Sequence, residues 1–176
     1  MLLLPLAAQS QNPKTMDASY QTLLDKQAVV ETVNAVGTTA DRRDWAACQA
    51  LFANSVTVDY QSLSGQPAAA VTPEQLMSGW QTVLPGFTGT QHQTTNHEIR
   101  FTGSNSAECR SYVLALHHLA GASGGETWTV AGRYLHRLER TSNGWKVNYL
   151  KLELLYQDGN RQLPVLAGEK VKAGNR

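Results

Sequence analysis

Charge is sparse in this sequence. Lys, Arg, Asp and Glu make up 16% of the residues, the net charge is +1, and no lysine or arginine block occurs. Without a basic stripe there is no electrostatic footprint for nucleic acid or an anionic membrane surface, and neither is expected as a partner. Cysteine is nearly absent: Cys48 and Cys109 share no short motif, make no zinc cage between them, and read as buried thiols. No G-x-S-x-G elbow presents a serine, and neither cysteine stands in an activating motif, which argues against nucleophilic catalysis. The glycine-rich "GASGG" lies between strand-like runs with no helix start behind it, a hairpin turn rather than a phosphate cradle. No apolar run is long enough to span a bilayer.

What is present suits one ordinary domain. A chain of 176 residues, 41% of them hydrophobic, can bury a real core, and nothing between its ends breaks in composition or repeats. The start, "MLLLPLAAQSQNPKTM", resembles the end of a signal-peptide apolar region but lacks the positive residues that open one. Residues 1–16 are therefore read as a tail or a signal-peptide remnant (the remnant at 1–10), which leaves cytoplasmic and exported locations both open. The domain is placed at 17–157, and 158–176, ending in the polar "AGEKVKAGNR", is read as a C-terminal tail.

Within the domain, helices come first. From Asp17 to Ala40 apolar residues recur at helical spacing through Leu24, Ala28, Val29, Val33 and Val36. "DRRDWAACQALF" predicts a second, short helix with Asp44 as its N-cap, and "SVTVDY" alternates as a strand does. "TPEQLMSGWQTVL" opens with a threonine cap and a proline, a strong helix start. After Phe87 come "HEIRFTG", "AECRSYVLALHHLA", "TWTVAGRYLHRLERT" and "GWKVNYLKLELLY", strand-like runs joined by turn residues. Helices followed by an antiparallel meander predict an α+β fold with the helices on one sheet face. "YVLALHHL" is apolar at both parities, so its outer face should be covered as well, and a homodimer is expected to cover it.

Four of the five histidines fall at 92, 97, 117 and 118. Side chains alternate along a strand, so His117 and His118 face opposite ways, as do His92 and His97 unless a bulge intervenes. Two histidines with a carboxylate such as Asp41 would satisfy a facial-triad iron site, although nothing in the spacing demands one. Without metal, Asp41 at the end of the first helix can either cap it, pair with Arg42 or Arg43, or turn inward and orient a histidine base. Ile99 and Phe101 share the parity of His97, so plain alternation would send His97 inward and His92 outward. A bulge near "TTNHE" would reverse that for His92.

The order helix, "DRRDW", strand, helix, "TQHQTTNH" and long strands resembles the SnoaL-like branch of the NTF2-like superfamily over roughly residues 18–157. The likeness is to its scytalone dehydratase and hexachlorocyclohexane dehydrochlorinase members. "ADRRDWAACQALF" puts Asp41 at those enzymes' aspartate, and "TQHQTTN" puts His92 at their histidine, with Thr95 and Asn96 repeating the Thr-Asn of the dehydrochlorinase. "GRYLHRLERTSNGWK" resembles the family's penultimate hairpin. The resemblance implies a cone: a strongly curved antiparallel sheet wrapped around N-terminal helices, with an apolar pocket at the wide end. It implies His92 as general base and Asp41 as its orienter, with no cofactor and no metal. Tyr60, Asn96, Tyr112, His117 and Arg133 are the implied substrate-binding residues. Tyr60 reads equally as a core tyrosine, and His117 is preferred to His118 on parity. The tyrosine or lysine that those enzymes carry beside or before their aspartate is missing, since Ala40 and Val36 stand there. The expected activity is a lyase or isomerase acting on a small hydrophobic hydroxylated ring compound. The alternatives are a non-catalytic ligand-binding or association module and the two-histidine metal enzyme.

Overall fold

The computed structural model describes residues 13–174, so the remnant expected at 1–10 lies outside the described residues. Helix α1 (Pro13–Arg42) starts ahead of the Asp17 boundary and buries Val29, Val33, Val36 and Ala40 along one stripe. It stops where Arg43 turns left-handed, at φ 59°. Asp44 then caps α2 (Trp45–Gln49), accepting from the Ala47 N–H at 3.1 Å. Strand β1 (Phe52–Asp59), the single turn α3 (Gln61–Ser64) and strand β2 (Ala69–Val71) lead to α4 (Pro73–Gln81). Thr72 and Gln75 close a full capping box on α4, as the threonine–proline start suggested.

Four long strands follow a 3₁₀ turn at Leu84–Gly86: β3 (Gly89–Gly103), β4 (Ser106–His118), β5 (Thr127–Thr141) and β6 (Gly144–Gly159). With β1 and β2 they form one curved six-stranded sheet in the order β2-β1-β6-β5-β4-β3, antiparallel except where β1 runs parallel to β6. This is the expected α+β cone. One difference is that β3 begins at Gly89, well before the apolar "EIRF", because "TQHQTTN" pairs with β4 from Gly89↔His118 onward. Backbone pairing, not apolar content, makes this stretch a strand.

The helices lie in the concave face in two packed groups. One joins α1, α2 and α4 to the β1, β5 and β6 side through Val29, Val33, Cys48, Phe52, Met77, Leu138 and Val147. The other joins Phe87, Val113, Ala115, Trp128 and Leu152 to Leu163 and Ala167 of a last helix, α5 (Leu163–Gly174). The segment read as a C-terminal tail is thus in part a packed helix. Its backbone touches the 3₁₀ turn so closely that a Cβ on Gly86 would fall 2.0 Å from the Ala167 carbonyl oxygen. Both cysteines are free and buried. No helix among the described residues is long and apolar enough to cross a membrane.

Candidate active site

β3 is an edge strand, so on one side its N–H groups have no ladder partner. The end of α1 covers that edge, and Asp41 takes up the free donor: the His92 N–H reaches Asp41 Oδ2 at 2.7 Å. The His92 ring turns to the same carboxylate, with Nδ1 at 2.7 Å from Asp41 Oδ1, and the Thr90 hydroxyl donates to Oδ1 at 2.7 Å. An ionised carboxylate only accepts, so Nδ1 carries the proton and Nε2 is left as the basic nitrogen. Burial pushes the Asp41 carboxyl up, but the His92 ring, its N–H and the Thr90 hydroxyl outweigh burial and hold it below the ordinary carboxylate value.

Which histidine faces inward is decided by one extra residue. Pairing shifts between Thr95↔Tyr112 and Glu98↔Arg110, and Asn96 adopts φ 55°. This bulge exposes Thr95 and Asn96 in succession, so Thr90, His92 and Thr94 face inward before it and His97, Ile99 and Phe101 after it. Naive alternation, which would have turned His92 out, fails here.

His92 opens on a cavity of about 310 Å³, lined mainly by apolar and aromatic side chains. α1 supplies Val33, Val36, Gly37 and Ala40, and the sheet supplies Ala115, Trp128, Val130 and Leu150. Trp80, Phe87 and Pro164 close other sides. Gly37 is a necessity of this closure, since a Cβ there would lie 2.9 Å from His92 Cβ. Arg43 pins the rim, donating to the carbonyls of Leu84 at 3.1 Å and Phe87 at 2.8 Å.

Of the residues singled out from sequence, Asp41, His92, Tyr60 and His117 come together. Tyr60 lines the cavity with its hydroxyl pushed well above the usual phenol range, first by burial. His117 is 6% exposed, with its ring 5.6 Å from that of His92 and 4.4 Å from that of Trp128. Burial, and then repulsion from His92, lowers it to about 4, so it stays neutral beside the dyad. His118 faces out beside Glu126 at 3.4 Å.

Three expected substrate-binding residues are elsewhere. Asn96 is thrown outward by the bulge, and Tyr112 (47% exposed) and Arg133 have outward parity. Arg133 lies over the Tyr112 ring at 5.8 Å, and all three line a small depression on the outer sheet face. The two-histidine metal site does not assemble either. His117 Nδ1 lies 3.3 Å from the Trp128 carbonyl, and among the described residues no three His, Cys, Asp or Glu side chains converge.

Sequence reading missed Thr90, Tyr134 and His136. Thr90 was findable, being one strand period before His92. Tyr134 and His136 share the inward parity of Trp128 and Val130, whereas Arg133 was chosen one residue out of phase.

A dyad on a curved sheet wrapped around helices defines a class of protein. Residues 21–151 match the SnoaL-like domain family, and the chain belongs to it. Solved structures share the fold. The Kfla4162 protein of Kribbella flavida superposes with TM-score 0.75 at 24% identity, over 83% of this chain and 98% of that one. A putative scytalone dehydratase from Novosphingobium aromaticivorans gives 0.68 at 20% identity, over 81% and 92%. The hexachlorocyclohexane dehydrochlorinase LinA-type3 of Novosphingobium barchaimii gives 0.69 at 17%, over 81% and 94%. Among proteins with curated descriptions, none matches this sequence.

Proposed function

We propose that this protein is a cofactor-independent lyase or isomerase, dehydratase- or cyclase-like, for a small hydrophobic hydroxylated ring compound. The observation that carries the reading is the 2.7 Å contact of His92 Nδ1 with Asp41 at the wall of an apolar cavity of about 310 Å³. His92 Nε2 takes a proton from a ring carbon, and Asp41 holds the positive charge that forms on the imidazole. The C–H electron pair becomes a double bond as a hydroxyl leaves the adjacent carbon, and the proton on Nε2 goes to that oxygen, giving water. In an isomerase the same proton returns to a different carbon. Relatives described as a putative scytalone dehydratase and a dehydrochlorinase support elimination chemistry of this kind.

The test is deuterium exchange at carbon, followed by NMR on a panel of hydroxylated bicyclic ketones in D₂O. Wild-type exchange or dehydration should fall by about a hundred-fold or more in His92→Ala, the scale of losing a positioned general base. Equal turnover by wild type and His92→Ala would sink the reading.

One observation favours a second reading, a ligand-binding module: Val36 and Ala40 make the α1 wall wholly apolar beside the dyad. Tight binding without turnover, unchanged in His92→Ala, would establish it. We further propose a homodimer through the outer sheet face, where Tyr112, Leu116, Leu155 and Tyr156 are exposed, to be checked by light scattering.

A further inference from the structure

Besides Tyr60, Thr94 and His117, two further polar side chains on the cavity wall lie outside the dyad. Tyr134 and His136 point inward from successive inward positions of β5, with ring centroids 5.3 Å apart at 66°. Both line the cavity. Cross-strand pairing runs from His92 to Ala115 to Val130, so these two lie farther along β5, away from the Trp128 end.

His136 is 1% exposed, and its Nδ1 is sealed in the wall without a hydrogen-bond partner. Such orphaned atoms are uncommon in folded proteins and destabilising. An orphaned buried N–H is rarer than an orphaned acceptor, which places the ring proton on Nε2. Nε2 is not among the sealed atoms, so the N–H on it is the ring's polar group left for the cavity that His136 lines. Tyr134 contributes a phenol O–H beside it. Both groups are held neutral by burial, the imidazole lowered to about 3 and the phenol raised, the latter further by the negative charge of Asp41. Two neutral donors side by side on this wall call for an uncharged acceptor oxygen. The nearby Asp41 carboxylate disfavours an anionic ligand group.

We propose that Tyr134 and His136 form a carbonyl-binding subsite, so that the ligand is a ring ketone whose oxygen sits away from His92. This rests on the cavity being the ligand site, as the function above does, but not on proton transfer.

The experiment compares 1-tetralone with tetralin, the same bicycle without the oxygen, by quenching of tryptophan fluorescence in the full chain. Trp80 and Trp128 line the cavity and report occupancy. Wild type should prefer the ketone by roughly ten-fold, and Tyr134→Phe or His136→Phe should each cut that preference by about three- to ten-fold, the range for one neutral hydrogen bond. Tetralin affinity should stay unchanged, which also shows that each variant keeps its pocket. If His136→Phe does not fold, Tyr134→Phe alone decides.

Equal wild-type affinity for the two probes overturns the subsite, as does a preference that survives in both variants. A preference lost in His92→Ala but kept in Tyr134→Phe also overturns it, because the oxygen would then sit at the dyad. Failure of the proton-transfer reading shows separately, as unchanged turnover in His92→Ala.

Discussion

Gly37→Ala asks whether closeness of α1 to β3 holds the dyad together. In the middle of a helix, alanine should stabilise over glycine by roughly 0.5–1 kcal/mol through backbone entropy alone. Here the added carbon would stand 2.9 Å from His92 Cβ, where carbon atoms normally rest about 3.5–4.0 Å apart. Strand and helix must separate by roughly 0.6–1 Å, or His92 must leave its rotamer, and overpacking of this kind costs about 1–3 kcal/mol. The net expectation is a loss of about 1 kcal/mol, or a melting temperature lower by roughly 2–4 °C for a chain of this size. Gly79→Ala is the matched control: it is also helical, and its Cβ would meet nothing within 4 Å, so it should raise the melting temperature.

Thermal denaturation measures both variants. The ¹H–¹⁵N imidazole signals of His92 report whether Nδ1–H still meets Asp41. A displacement approaching 1 Å at a catalytic group can reduce rate by about a hundred-fold, so activity should fall in Gly37→Ala and hold in Gly79→Ala. If Gly37→Ala is stabilised as much as the control and leaves the His92 signals unmoved, the close-approach argument is wrong.

Other expectations follow from the same geometry. Acid should destabilise the fold through His117 and His136, lowered by burial to about 4 and about 3 from an ordinary 6.5. The unfolded chain then binds more protons, so stability falls as pH drops below about 6.5 and levels off near those folded values, at up to about 1.4 kcal/mol per ring per pH unit. A melting temperature that stays flat from pH 7 to 4 would contradict this. Asp41, also held low, adds a loss only in more acid solution. Thr90→Val removes one of the hydroxyl and N–H donors on Asp41, and should cost about 1 kcal/mol in urea unfolding and raise the Asp41 carboxyl, read by ¹³C titration. Asp41→Asn replaces an acceptor-only partner by one that can also donate. It should let His92 take the other tautomer and lower turnover by at least about a hundred-fold, with the His92 ¹⁵N shifts showing the change. Cys109, its thiol raised by burial to about 11, should resist iodoacetamide in the native protein and react only on unfolding.

Local chemistry was legible where a few neighbouring residues settle the outcome. Thr72, Pro73 and Gln75 specify a helix start by their own hydrogen bonds, and Asp44 does so for α2. The β4–β6 meander shows in alternating apolar residues broken by turns, and Asp41 with His92 in the resemblance of their surroundings to a known family. What lay beyond the sequence was phase. A strand has a side-chain period of two, so the single extra residue at Asn96 sets His92 and His97 on the same face. The left-handed turn that absorbs that residue depends on pairing with β4. Arg133 and Tyr112, by contrast, face out by plain alternation from Trp128 and His117, and only the resemblance had set them in the pocket. The close approach that lets Asp41 meet both the ring and the backbone of His92 is likewise tertiary. Gly37 is one glycine among many in the sequence, and only packing α1 against an unpaired sheet edge gives its missing Cβ a meaning.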